Sequence, residues 1–145
     1  MDIESEIAEA KTLLEEQQYE QALTIVEKVL ENAPDSQKAT DIRNACYYNM
    51  GNMMLRKKQY LKSLEMFNNT DPDYKNVSES ISNVKKQLGK KAEDHFRKGV
   101  QYFINEKLEQ SIKEWKKTLA LNPDHKEAKK NITKAESLLE KLENF

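Results

Sequence analysis

The chain has 145 residues, of which 34% are charged and 37% hydrophobic, and its formal net charge is −1. This length predicts one domain over residues 1–145, and the periodic apolar residues argue against an intrinsically disordered chain. No run approaches the roughly 18 consecutive apolar residues of a membrane-spanning helix, so we expect no membrane insertion. Only three glycines and three prolines occur, which indicates a helical protein with little loop.

The N-terminal stretch, residues 1–16, is acidic and amphipathic. It lacks the basic start and apolar centre of a secretory signal peptide. A complete chain of this kind is expected in the cytoplasm, whereas localisation is open if the sequence is a fragment of a longer, exported protein.

The apolar pattern predicts helices joined by short connections. The first five are 3–16, 19–32, 37–57, 60–68 and one within 74–90. Either Asp35 or Ser36 can cap the third helix, and residues 69–73 form the clearest break in the chain. We expect Gly89 to end or bend the fifth helix, because glycine weakens a helix interior.

The stretch 92–125 has the clearest pattern of a helical hairpin. Its first helix has apolar or small residues at i, i+3, i+4 and i+7, and its second has a stripe that steps by four, three and four. The two stripes are Phe96, Gly99, Val100 and Phe103, and Leu108, Ile112, Trp115 and Leu119. Gly99 lies mid-helix, which predicts the close approach of another helix backbone. Pro123 then ends the hairpin, and a final amphipathic helix is predicted over 124–143.

A hairpin of this size cannot bury its apolar face alone, so we expect stacked copies. Three repeats of this pattern are present, at about 3–34, 44–72 and 92–123. Each has a small residue in its first helix and a large apolar residue in its second. These pairs are Ala10 and Val26, Gly51 and Phe67, and Gly99 and Trp115.

This pattern resembles the tetratricopeptide repeat family, with degenerate and lengthened repeats. The third repeat carries the likeness best, through Gly99-x-x-Tyr102, Ser111-x-x-x-Trp115 and Pro123. The family repeats every 34 residues or so, and here the extra residues are predicted to be helical, at 36–44 and 74–90. The resemblance implies an all-α fold, a right-handed α-solenoid of about three helical hairpins with extended helices and a C-terminal capping helix.

No catalytic, metal or cofactor constellation is present in the sequence. His95 and His125 lack the H-E-x-x-H spacing of a zinc protease. We expect His95 to be a packing residue, His125 a surface residue at a helix start, and Cys46 a small buried residue rather than a nucleophile. Paired lysines are spread over several helices and offset by acids, so we expect no nucleic-acid binding. The protein is therefore not expected to be an enzyme or to need a cofactor.

The resemblance implies a non-enzymatic protein–protein interaction scaffold or adaptor. In the family, the first helix of each hairpin lines a concave groove that holds a partner peptide or helix. The register places Ile7, Lys11 and Leu14 of the first repeat in that groove. The other predicted partner-binding residues are Tyr48, Asn49, Asn52 and Arg56 in the second repeat and Phe96, Arg97, Val100, Phe103 and Ile104 in the third. Only Asn49 and Arg97 match the family's clamp for a terminal carboxylate, so that clamp is not expected.

Two alternatives remain open at this point. The apolar surface of the third repeat is either a docking site or is covered by residues 74–90 or by the chain's own last helix. The protein is either an adaptor or a self-associating structural subunit of a homo-oligomer. The second function is suggested by charge, because residues 1–35 hold ten acidic and two basic residues whereas residues 36–145 hold fifteen and twenty-two. Charge runs of this kind are more often solvated helix faces.

Overall fold

The protein is all-helical. A computed structural model describes all 145 residues and contains seven helices and no strand. The helices are α1 (Ile3–Glu15), α2 (Tyr19–Asn32), α3 (Gln37–Arg56), α4 (Tyr60–Asn68), α5 (Val77–Ile104), α6 (Leu108–Leu121) and α7 (Lys126–Glu143). The predicted all-α fold of helical hairpins with a final helix is confirmed. None of the seven helices combines the length and apolar character needed to cross a membrane.

Helix α5 is one continuous helix of 28 residues, so the expected helix end at Gly89 is not observed. A glycine in a helix interior costs about 1 kcal/mol relative to alanine. That cost is offset by one buried stripe on either side of Gly89, formed by Val77, Val84, Leu88 and Ala92. Burial of this stripe outweighs the local preference.

The chain divides into two compact units, Met1–Val84 and Lys85–Phe145, and the boundary lies within α5. In the first unit α1 packs on α2, α2 on α3 and α3 on α4, and α1 also packs on α3. The contact between α1 and α3 joins the first helices of two consecutive hairpins. In the second unit the C-terminal half of α5 and helices α6 and α7 share one core. That the whole chain forms a single domain stays a prediction.

Each unit has its own hydrophobic core. In the first unit the core residues are Ile7, Ala10, Ala22, Leu23, Val26, Val29, Ala39, Ile42, Cys46 and Met50. In the second they are Ile112, Trp115, Ala128, Ile132 and Ala135. The prediction that Cys46 is a small buried residue is confirmed, and its burial raises the pKa of the thiol to about 11.

The two units use the same three-helix arrangement. Helices α1, α2 and α3 correspond to the end of α5, α6 and α7 with a constant offset of 89 positions. The offset relates the small residues, the large residues and the helix caps alike. Corresponding pairs are Ala10 and Gly99, Val26 and Trp115, Pro34 and Pro123, Ser36 and His125, and Cys46 and Ala135.

The three hairpin turns share one backbone motif. The turn residues Gln17, Lys58 and Glu106 have positive φ angles of 62°, 58° and 61°. In each turn this residue's N–H bonds a carbonyl three positions back, and the next N–H bonds one five positions back. This pair of hydrogen bonds is a Schellman-type helix end. Glycine usually occupies the left-handed position, and here glutamine, lysine and glutamate occupy it instead.

The two buried glycines lie against aromatic rings of the facing helix. A Cβ atom added to Gly51 would lie 2.5 Å from the Phe67 ring, and one added to Gly99 would overlap the Trp115 indole. The expectation that a helix backbone approaches Gly99 is therefore wrong, because an aromatic side chain fills that space. The Ser63 hydroxyl also donates to the Gly51 carbonyl at 2.8 Å, which holds α4 against α3.

We expect opposite effects from adding a methyl group at the three glycines. Gly51→Ala and Gly99→Ala should each destabilise the protein by about 1–3 kcal/mol, since the ring must move out of a packed site. Gly89→Ala is the control, because no atom lies within 4 Å of its added Cβ, and it should stabilise by about 0.5–1 kcal/mol. Urea denaturation followed by circular dichroism measures all three, and equal effects would contradict the ring contacts.

Candidate functional site

A pocket of about 450 Å³ lies between α1 and α3 in the first unit. Its lining residues are Glu4, Ile7, Ala8, Lys11, Leu14, Lys38, Asp41 and Ile42. The three predicted groove positions of the first repeat, Ile7, Lys11 and Leu14, all belong to it. Because α1 and α3 are the first helices of consecutive hairpins, the pocket lies where the family resemblance implies a groove.

The pocket has an aliphatic floor and a charged rim. Ile7 and Ile42 form part of the floor and are only 8% and 7% exposed, so both are held by the core beneath. On the rim, the Lys38 ammonium lies 3.7 Å from Glu4. Both side chains are largely exposed, at 71% and 80%, so this ion pair contributes little to stability. Breaking this ion pair would therefore cost little stability.

The wall formed by α3 continues beyond the pocket. Helical spacing puts Asn49, Asn52 and Arg56 on the same face of α3 as Lys38 and Ile42. Asn49 and Asn52 are half-buried and Arg56 is exposed. The side chains of all three form no hydrogen bond or ion pair within the protein. The four residues predicted from the second repeat therefore include three on the groove-side face of α3.

Sequence reasoning missed Lys38, Asp41 and Ile42. A register counted from Gly51 begins at Tyr48 and does not reach the first turns of α3. The signal was present, since the extra helical residues before position 44 extend the same face toward the N-terminus of α3.

Tyr48, the fourth predicted residue, is covered by the segment that follows α4. Its ring lies 5.6 Å from the Tyr74 ring in an edge-on arrangement, and the Lys75 ammonium lies 5.2 Å from its centroid. The Tyr48 hydroxyl donates to Asn76 Oδ1 at 2.5 Å. Tyr48 is therefore a contact point for residues 71–76 rather than an open part of the groove.

A second contact holds the same segment to α3. The Asn44 amide donates to Asp71 Oδ2 at 2.9 Å, and its oxygen accepts from the Asp71 N–H at 3.1 Å. Asn44 is 4% exposed and Asp71 is exposed, so both bonds are part-buried. The Arg43 guanidinium lies 3.8 Å from the other oxygen of Asp71. Residues 71–76 are thus fixed to α3 by polar and aromatic contacts together.

In the second unit, three of the five predicted residues face the core. Phe96, Val100 and Phe103 are half-buried and pack against the cluster formed by α6 and α7. The Phe103 ring lies 5.8 Å from the Trp115 ring, and the Lys134 ammonium of α7 lies 5.7 Å from its centroid. This packing favours the alternative in which the last helix covers the surface.

The other two predicted residues of the second unit, Arg97 and Ile104, are exposed. The Arg97 guanidinium lies 3.7 Å from Asp94 one turn earlier, and Ile104 is the exposed last residue of α5. Partner binding by any of the twelve predicted groove residues stays a prediction.

Both histidines have structural contacts in the second unit. His95 Nδ1 lies 2.7 Å from Glu114 Oε2, which agrees with a packing role. His125 Nδ1 accepts from the Ala128 N–H at 3.1 Å and caps α7. Its Nε2 therefore carries the hydrogen and donates to Glu93 Oε1 at 2.7 Å.

His125 is less exposed than expected for a surface residue. Its side chain is 10% exposed, because the ring packs on Phe96 with centroids 4.6 Å apart. The expectation of a surface histidine at a helix start is right about the helix start and wrong about the exposure. No group of three or more His, Cys, Asp and Glu side chains is placed to hold a metal ion.

Comparisons with known proteins find distant likenesses. No protein-family model matches the chain. It is 26% identical over 123 residues to the DnaJ protein P58IPK homolog of Arabidopsis thaliana, an alignment that covers 83% of this chain and 23% of that protein. It is also 26% identical over 125 residues to the DnaJ protein P58IPK homolog B of Oryza sativa subsp. japonica, covering 85% and 24%. The chain thus spans about a quarter of the length of these plant relatives.

We expect Asn44→Ala to destabilise the protein by about 1–3 kcal/mol, because two part-buried hydrogen bonds to Asp71 are lost. Asn49→Ala is the matched control on the same helix, since Asn49 makes no such bond, and it should change stability by less than about 0.5 kcal/mol. Urea denaturation measures both. If the two variants lose the same stability, the Asn44 bonds do not hold the segment to α3.

Glu114 should make the stability depend on acid pH. Burial alone would raise the pKa of its carboxyl group, but hydrogen bonds from His95 and Lys117 together lower that pKa below the ordinary value of 4.5. The folded state therefore gains stability above the unfolded pKa and loses it as the pH falls through the folded pKa.

Glu114→Gln should accordingly be less stable than the natural protein at pH 7, and the difference should shrink as the pH falls below the ordinary carboxyl pKa of 4.5. The measurement is urea denaturation at a series of pH values. Glu140→Gln, an exposed carboxylate on α7, is the control and should follow the natural protein throughout. A Glu114→Gln difference that does not change with pH would contradict this account.

Proposed function

We propose that the chain is a non-enzymatic protein-interaction scaffold or adaptor. Its partner is a peptide or an amphipathic helix that docks between α1 and α3. The observation that carries the proposal is the pocket of about 450 Å³ with an aliphatic floor and a charged rim. The distant likeness to two plant proteins named as DnaJ proteins supports a role in protein interaction.

The form of the groove suits a partner with a few apolar side chains on one face. Burial of one leucine or isoleucine contributes on the order of 1.5–3 kcal/mol. Two or three such anchors must also offset the loss of translational and rotational freedom on binding. We therefore expect affinities in the micromolar range, with the apolar face of the partner against Ile7, Leu14 and Ile42.

A self-associating structural subunit is the second candidate function. The distribution of charge favours it, because the first unit holds fifteen acidic and nine basic residues and the second holds ten and fifteen. The acidic unit of one copy would attract the basic unit of another. Such an oligomer should dissociate when salt is raised, because exposed charges are screened over about 8 Å at physiological ionic strength.

The proposal is tested by filling the pocket without removing a core residue. Ala8 is exposed on the pocket wall, so Ala8→Arg should block the groove and leave the fold intact. Ala120→Arg makes the same change at an exposed position of α6 and is the matched control. Partners are captured from the source organism with each protein, identified by mass spectrometry, and then measured individually by calorimetry.

The adaptor function predicts a partner that binds the natural protein and Ala120→Arg equally and binds Ala8→Arg at least about tenfold more weakly, a difference of about 1.4 kcal/mol. Equal binding by all three proteins would place the interaction elsewhere and contradict the groove. Light scattering at low and high salt separates the second function, since only a self-associating subunit gives an oligomer that salt dissociates.

A further inference from the structure

Lys11 is an isolated positive charge in an acidic part of the chain. Residues 1–35 contain ten acidic residues and only two basic ones, Lys11 and Lys28. Lys11 lines the pocket between α1 and α3, and Lys28 does not. Of the two basic residues in this acidic part of the chain, Lys11 lies where its positive charge would face a ligand bound in the groove.

Lys11 is also the one charged side chain on the rim without a partner in the protein. Lys38 pairs with Glu4 at 3.7 Å, and Asp41 accepts a hydrogen bond from the Gln37 amide at 2.8 Å. Lys11 forms no ion pair with either acid. It lies one turn from Ile7 and one turn from Leu14 on the same face of α1, so Lys11 borders the aliphatic floor of the pocket.

A segment that docks on this floor removes water from around Lys11. A charge that loses water without gaining a partner is strongly unfavourable, whereas a charge pair formed at the same place offsets that cost. The floor thus selects aliphatic side chains, and Lys11 selects what lies beside them.

We infer that the groove binds an aliphatic protein segment that carries one carboxylate, from Asp or Glu, opposite Lys11. This inference rests on the proposed function and names the chemistry of its partner. A run of acidic residues does not fit, because Asp41 of α3, Glu4 and the other carboxylates of the first hairpin would repel the additional charges. The segment therefore has a single acid with neutral or basic neighbours.

The test uses three synthetic amphipathic peptides of about 15 residues, long enough to form a helix when docked. They share one leucine face and differ only in a central Glu, Gln or Lys beside it. Each is titrated into the full chain labelled with ¹⁵N, and the amide shifts of Ile7, Lys11, Leu14 and Ile42 are followed by NMR. The Glu peptide should shift these amides and bind about tenfold more tightly than the Gln peptide, with the Lys peptide weakest.

Variants of Lys11 then assign the preference. Lys11→Gln should remove the difference between the Glu and Gln peptides, and Lys11→Glu should make the Lys peptide the tightest. Lys28→Gln removes the other base of the hairpin outside the pocket and should leave the order unchanged. Because Lys11 is exposed on a helix, all three variants should keep the helical circular dichroism spectrum of the natural protein.

The outcomes separate the two proposals. If the Glu and Gln peptides shift the groove amides with equal affinity, the groove binds segments but the carboxylate preference is wrong. If none of the three peptides shifts the groove amides, the proposed function of the groove is itself wrong. If Lys28→Gln abolishes the preference as fully as Lys11→Gln, a diffuse field and not Lys11 selects the carboxylate, and the inference fails.

Discussion

The contact between a small residue in one helix and a large residue in the next determines how each hairpin closes. Gly51 leaves room for Phe67 and Gly99 leaves room for Trp115, and a single added methyl group would overlap the ring in either place. In the first hairpin the same positions hold Ala10 and Val26, both fully buried. Val26 is smaller than Phe67 or Trp115, so the facing position in the first hairpin can hold alanine instead of glycine. The first helices then turn their other faces outward, and two such faces form the groove.

The two units show how one arrangement gives two different surfaces. The units differ at three corresponding positions. At two of them an aliphatic residue of the first unit is replaced by phenylalanine in the second, and at one a lysine is replaced by valine. The pairs are Ile7 and Phe96, Lys11 and Val100, and Leu14 and Phe103. In the second unit the aromatic rings pack against Trp115 and the last helix. In the first unit the corresponding space between the helices is a pocket. The scaffold thus positions the site, and a few side chains decide whether it stays open.

The sequence was sufficient for the helices and less so for the site. The bounds of α4 and α6 follow from local features, namely the apolar stripe and the residues around Pro123 and the turns. The continuous α5 could not be foreseen at Gly89, because burial of the stripe formed by Val77, Val84, Leu88 and Ala92 overrules the local preference. The cover over Tyr48 depends on how the segment after α4 folds back, and its spacing carries no periodic signal. The groove residues of α3 were missed because its first turns have no counterpart in α1.

The single cysteine has a consequence for observing motions of the first unit. Cys46 lies on α3 within the core and is fully buried, and burial raises the pKa of its thiol to about 11. The thiolate is the form of cysteine that attacks an alkylating reagent. While α3 stays packed, the reagent cannot reach the Cys46 sulfur and very little of the thiol is ionised at neutral pH. The rate at which such a reagent modifies the unaltered protein therefore reports how often α3 separates from α1 and α2. A ligand held between α1 and α3 would slow that rate, which makes the natural thiol an internal sensor of occupancy.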